Sequence, residues 1–242
     1  MNGIEGPGIP TVELANGLKV PILGLGTSHH GGYSHSSVVY ALKECGIRHI
    51  DTAKRYGCES HLKKAIRESG VNRENLWITT KLWPGDYGYG TTKAACLESC
   101  KRLGVDYIDL YLMHWPDGIA LGKTNQELRA ETWQAMEELY DEGICRSIGV
   151  SNFLISHLEQ LKEDCDLIPH VNQNGVVTIP KSTKKERIWE NCQVFNFSLS
   201  KEDMIFLNSL KSNKKLITLS YPLWKEQESQ SEPPTAKKDV SQ

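Results

Sequence analysis

The chain has 242 residues, 39% hydrophobic and 24% charged, the make-up of a soluble folded domain with room for one substantial core. A formal charge of -2 gives no basic surface, so neither nucleic acid nor an anionic membrane is expected as a partner. No apolar run reaches the roughly 20 residues of a membrane span, and seven scattered cysteines without a CxxC pair read as reduced thiols, which points to the cytoplasm.

The opening "VELANGLKVPILGLGT" predicts a β-hairpin turning at Asn16-Gly17, with Val12, Leu14, Leu18 and Val20 beside the turn. Strand-like and helical patterns then alternate. The run "IRHIDTA" (47–53) is followed by "ESHLKKAIRESG", whose apolar stripe of Leu62, Ala65 and Ile66 stops at Gly70. "LWITTKLW" (76–83) precedes "TKAACLESCKRLG", a helix ending at Gly104 in which Cys96 and Cys100 share a face and are expected to be buried. "YIDLYLMHW" (107–115) precedes "TNQELRAETWQAMEELYDEG", which ends at Gly143. The last strand-like runs are "CRSIGVSNF" (145–153), "PHVNQ" (169–173) and "VVTIPKS" (176–182).

Repeated βα units with short connections imply a parallel sheet, and the doubly apolar Leu110 to Met113 fits one covered by helices. An open doubly wound sheet and a closed (β/α)8 TIM barrel both satisfy this order. The former would normally carry a phosphate-binding GxGxxG turn, but "GLGTSHHGG" has His29 where the third glycine belongs. An N-terminal hairpin capping the bottom favours the barrel, predicted over residues 1–224. The remaining "KEQESQSEPPTAKKDVSQ" (225–242) is polar and proline-interrupted, and is expected to be a disordered tail.

Barrel chemistry sits at the C-terminal ends of the strands. Asp51 lies late in "IRHIDTA", Tyr56 follows on the next loop, Lys81 ends "LWITTK" and His114 ends "DLYLMH". Singly, each has an ordinary structural reading; four at equivalent strand ends read as a site. A phenol with a pKa near 10 is a weak donor at neutral pH. A nearby ammonium is expected to lower that value, with a carboxylate holding the amine charged. Tyr56 then protonates a carbonyl oxygen while hydride reaches carbon, and His114 polarises that oxygen. No metal is required. A barrel hydrolase with a metal on His29, His30, His35 and His114 is the lesser alternative.

These stretches resemble the aldo-keto reductases, NADP(H)-dependent (β/α)8 barrels that reduce aldehydes and ketones. "GIRHIDTAKRYGCE" (46–59), "WITTKLW", "IDLYLMHWP", "MEELYDEGICRSIGVSNF" (136–153) and "IPKSTKKERIWEN" (179–191) carry the likeness. The resemblance implies Tyr56, Asp51, Lys81 and His114 as catalytic tetrad, with Ser151, Asn152 and Gln173 on the nicotinamide carboxamide. It puts Lys181, Ser182, Thr183 and Arg187 around the adenosine 2′-phosphate, and Glu190 and Asn191 at the adenine. A monomer acting on a small carbonyl compound follows. Independently, the cations and hydroxyls of "PKSTKKER" at a helix start suit a phosphate.

One junction breaks the pattern. In the family "VNQ" ends the sixth strand and "VVTIPKS" is the eighth, but here Gln173 is followed at once by "NGVVTIP". About 60 residues, two βα units, are missing between 173 and 174, strand seven and its flanking helices among them. A parallel return needs about a dozen residues. Three routes remain: "PHVNQ" leaves the barrel, it pairs antiparallel with "VVTIP" through Asn174-Gly175, or the barrel stays incomplete. In the family the segment after the seventh strand lines the cofactor and is lost here, so a catalytically impaired or inactive truncated relative with a residual nucleotide-binding or interaction role is the alternative function.

Overall fold

The computed structural model describes residues 9–28, 32–119, 122–173 and 178–209. The first two strands, β1 (Thr11–Glu13) and β2 (Lys19–Pro21), form the expected antiparallel hairpin. Its turn is wider than a two-residue type I′ turn, which needs positive φ at both central residues. Only Gly17 supplies it, at 80°; Leu14 and Leu18 pair through a 2.8 Å bond around a three-residue loop. Leu14 and Val20 pack on Trp77, Leu110 and Leu112, and Asn16 donates to the Arg146 carbonyl at 3.0 Å, so the hairpin plugs one end of the sheet.

Strands and helices then alternate in chain order: β3 (Leu25–Gly26), α1 (His35–Lys43), β4 (His49–Asp51), α2 (Glu59–Ser69), β5 (Trp77–Leu82), α3 (Tyr89–Leu103), β6 (Leu110–Met113), α4 (Asn125–Asp141), β7 (Ile148–Ser151), α5 (Ile155–Asp164) and β8 (Val171–Gln173). Two more helices follow, α6 (Lys185–Cys192) and α7 (Lys201–Ser209). The predicted stops at Gly70 and Gly104 are left-handed C-caps, with φ of 70° and 68°, a conformation costly for any residue with a Cβ.

The six strands β3 to β8 pair in parallel in sequence order, as βαβ units require. Side chains alternate between faces. On β6, Leu110 and Leu112 join the inner cluster, whereas Tyr111 and Met113 join the layer under the helices, with Trp133, Met136 and Leu139 of α4. Ile50 of β4 and Ile78 of β5 likewise face Leu42 of α1 and Leu62 of α2. The same alternation turns Asp51 and Lys81 inward.

The Thr178 segment lies beyond the other edge of β3. Thr178 bridges Leu23 in parallel, its N–H donating to Ile22 at 2.8 Å, and Gly26 N–H donates to the Pro180 carbonyl at 3.1 Å. Gln173 and Thr178 therefore flank opposite edges of one curved sheet. Of the three routes, departure of "PHVNQ" is excluded, because Val171–Gln173 pairs parallel with β7. Antiparallel pairing is not made by Thr178, which pairs with Leu23 instead. Among the described residues no strand pairs with the outer edge of β8, so the (β/α)8 barrel is incomplete there. The Asn174-Gly175 turn and the 225–242 tail lie outside the described residues. No helix among the described residues is long and apolar enough to cross a membrane.

Candidate active site

The strand register places the catalytic candidates at one rim. Gly26 pairs with Asp51, Asp51 with Thr79, and Lys81 with Leu112, two residues before His114. Asp51 and Lys81 are 2% and 3% exposed, and the Lys81 ammonium donates to Asp51 Oδ1 at 2.6 Å and to the Thr52 carbonyl at 3.0 Å. A buried carboxylate and a buried ammonium compensate each other here at close range, which neither can do alone.

Tyr56 ends a single helical turn, Lys54–Tyr56, closed by left-handed Gly57, so its ring returns over the strand ends. The Lys81 ammonium stands 5.3 Å from the centre of that ring. His114 meets Tyr56 edge-on at 5.7 Å and Trp83 at 5.6 Å, and stacks on Trp115 at 5.8 Å with the rings 12° apart. Its Nδ1 is buried and finds no hydrogen-bond partner among the described residues. Burial, aided by the Lys81 charge, pulls the imidazole down to about 3, so it is neutral at pH 7.

The expected acidification of the phenol is not observed. Burial, then the negative charge of Asp51, pushes Tyr56 above its ordinary value. Desolvation disfavours the phenolate most, and the nearby Asp51 carboxylate repels it further. Tyr56 is thereby a fully protonated donor at neutral pH.

Asn152, just past β7, is the one non-glycine at positive φ among the described residues, at 63°. Asparagine tolerates this better than most residues. Its Nδ2 donates to the His114 carbonyl at 2.9 Å and to buried Ser151 at 3.1 Å. Gln173 pairs in register with Ser151, at the end of β8.

The phosphate candidates begin at the same rim. Pro180 is held by Gly26, the partner of Asp51, and Lys181 follows directly. The Thr183 carbonyl accepts from Ser37 of α1 at 2.7 Å, and Lys184 N–H donates to Ser182 at 3.1 Å. These bonds fix a loop that opens α6, on which Arg187, Glu190 and Asn191 follow with Arg187 and Glu190 exposed. A cleft of about 550 Å³ includes Glu190, Asn191, Thr178 and Pro180 in its walls.

Of the alternative metal set, His29 and His30 lie outside the described residues, and His35 is paired with Glu68 at 2.6 Å. Sequence reasoning missed the supports of the site: the Thr52 carbonyl under Lys81, and Tyr87 and Arg129 behind the His114 loop. The only signal for Tyr87 was an aromatic in a glycine-rich loop, which does not reveal a partner 28 positions away.

The Aldo/keto reductase family model matches residues 23–176. An uncharacterized oxidoreductase of Caenorhabditis elegans is 36% identical over 274 residues, covering 88% of this chain and 85% of that protein. A glyoxal reductase of Bacillus subtilis is 37% identical over 269 residues, 85% of this chain and 94% of its own. A Bombyx mori aldo-keto reductase crystallised in complex with NADP superposes with a TM-score of 0.79 at 26% identity, covering 90% of this chain and 99% of that one. Both sequence alignments are longer than the stretch of this chain they take in, by about 60 positions, the size of two βα units.

Proposed function

Because this chain belongs to the Aldo/keto reductase family, we propose that it reduces small aldehydes or ketones to alcohols with NADPH, Tyr56 serving as general acid. The observation that carries this reading is the convergence of Asp51 and Tyr56, Lys81, and His114, from three successive βα units, on one rim. Names of relatives agree with it at the level of chemistry: one is a glyoxal reductase, another a 9,11-endoperoxide prostaglandin H2 reductase.

The residues present fit NADP(H). Lys181, Ser182, Thr183 and Arg187 would hold the 2′-phosphate beside the start of α6, and Glu190 and Asn191 the adenine, while Ser151, Asn152 and Gln173 would reach the nicotinamide carboxamide. When bound, the cofactor supplies the hydride. The chain's own groups do the rest. Tyr56 holds its proton against loss to water because burial and Asp51 disfavour the phenolate. An alkoxide is more basic than any phenolate, so transfer from Tyr56 to a carbonyl oxygen gaining negative charge is downhill. The Lys81 ammonium, near the ring, stabilises the phenolate left behind. Neutral His114 can donate one N–H to the same oxygen without adding a net charge. Trp83 and Trp115 give that oxygen's substituents an aromatic wall.

The test is NADPH consumption with a generic aromatic aldehyde by protein shown to be folded. Tyr56→Phe should cut turnover by about two or more orders of magnitude, the worth of a positioned acid, with NADPH binding retained. Equal rates for the two proteins would end the reading. A second reading rests on the roughly 60 relative positions without a counterpart here. It holds that the chain binds the dinucleotide but turns over poorly. Quenching of NADPH fluorescence without aldehyde reduction would select it.

A further inference from the structure

Tyr87 lies in the loop between β5 and α3 and is 5% exposed. Its hydroxyl donates to the Trp115 carbonyl and accepts from the Trp115 N–H at 3.3 Å, so one phenol grips both backbone polar groups of one residue. Two neighbours complete the hold. Asn152 donates to the His114 carbonyl at 2.9 Å, and Arg129 of α4 to the Pro116 carbonyl at 3.0 Å. Three successive carbonyls past the end of β6 are thus satisfied by side chains from three different elements, where no strand ladder remains to do it.

The orientation of His114 depends on this hold. A histidine ring is ordinarily fixed by a hydrogen bond on its second nitrogen. Here Nδ1 has no partner among the described residues, so packing must set the ring. Trp115 is the neighbour that lies flat on it. Asn152 and Arg129 fasten the residues on either side, but Tyr87 fastens the one whose ring touches the imidazole. We propose that Tyr87 is a positioning residue for His114: by fixing the Trp115 backbone on both sides of its Cα it holds the indole against the imidazole and aims that ring at Tyr56. The proposal rests on the reductase reading for its catalytic consequence, but not for its structural one.

The experiment compares the full chain with Tyr87→Phe, which removes one oxygen and keeps the ring packed under Gly118. Hydrogen exchange at the Trp115 amide should accelerate about tenfold, as the loss of one buried bond implies. The His114 ring resonances in nitrogen-edited NMR should shift and broaden. Turnover of aldehyde should fall about tenfold while KM for NADPH stays within about twofold, because the phosphate loop is untouched. Gly118→Ala approaches the clamp from the other side and serves if Tyr87→Phe does not fold: its new methyl would press on Leu128 of α4 and meet Tyr87 Cδ2 at 2.7 Å, and should also move the His114 signals. Unchanged His114 resonances in the folded variants overturn the proposal, whatever the kinetics show. Shifted resonances with no turnover in the unmodified protein support the clamp and overturn the reductase reading instead.

Discussion

Replacing Asp51 with asparagine separates a buried ion pair from an ordinary surface contact. Lys81 and Asp51 meet at 2.6 Å with side chains 4% and 3% exposed, so water cannot take over when the carboxylate charge is removed. An exposed pair is worth at most about 1 kcal/mol, but orphaning a buried charge costs about 3–5 kcal/mol. At about 2–4 °C per kcal/mol for a domain of this size, Asp51→Asn should lower Tm by roughly 10 °C. The assay is thermal and urea unfolding followed by circular dichroism. Asp51→Asn/Lys81→Met should be more stable than Asp51→Asn alone, because it removes the orphaned ammonium together with its partner. A single-variant loss under about 1 kcal/mol, with strictly additive effects in the double variant, would show that the pair is not buried as described.

Two further outcomes follow from the interior. His49 is pulled down to about 4, chiefly by burial, and His114 to about 3. Above pH 6.5 both are neutral whether folded or unfolded; below it the unfolded chain takes up protons that the folded chain refuses, so stability should fall from pH 6.5 toward 4 at about 1.4 kcal/mol per pH unit for each group. Urea midpoints at a series of pH values check this, and His114→Gln should flatten the slope. An equal slope in the variant would refute it. Gly26→Ala puts a methyl 2.6 Å from the Ile179 carbonyl, on the backbone that ties β3 to the phosphate loop. It should cost about 1–3 kcal/mol and weaken NADPH binding more than a distant substitution of equal cost does. Calorimetric titration of folded protein reads it, and unchanged affinity would disconnect the loop from β3.

Much of this molecule is written in local sequence. Asp51 and Lys81 stand at strand ends where the site was expected, the apolar stripes marked the helices, and Gly70 and Gly104 stand where the helix stops were expected. The junction after Gln173 was legible for the same reason, since a parallel return cannot be made in so few residues. Turn geometry was only half legible: Asn16-Gly17 marks the hairpin, but Gly17 alone takes positive φ, because the chain accommodates an extra loop residue. The tertiary structure decided what spacing does not encode. It set the docking of the Thr178 segment against Leu23, the grip of Tyr87 on Trp115, and the proton affinity of Tyr56. Residue types predicted an acidified phenol, whereas burial and the Asp51 charge raise it. Periodicity is a property of chain neighbours. Electrostatics sums over desolvation and charges brought from strands 30 residues apart, and that sum exists only once the sheet has formed.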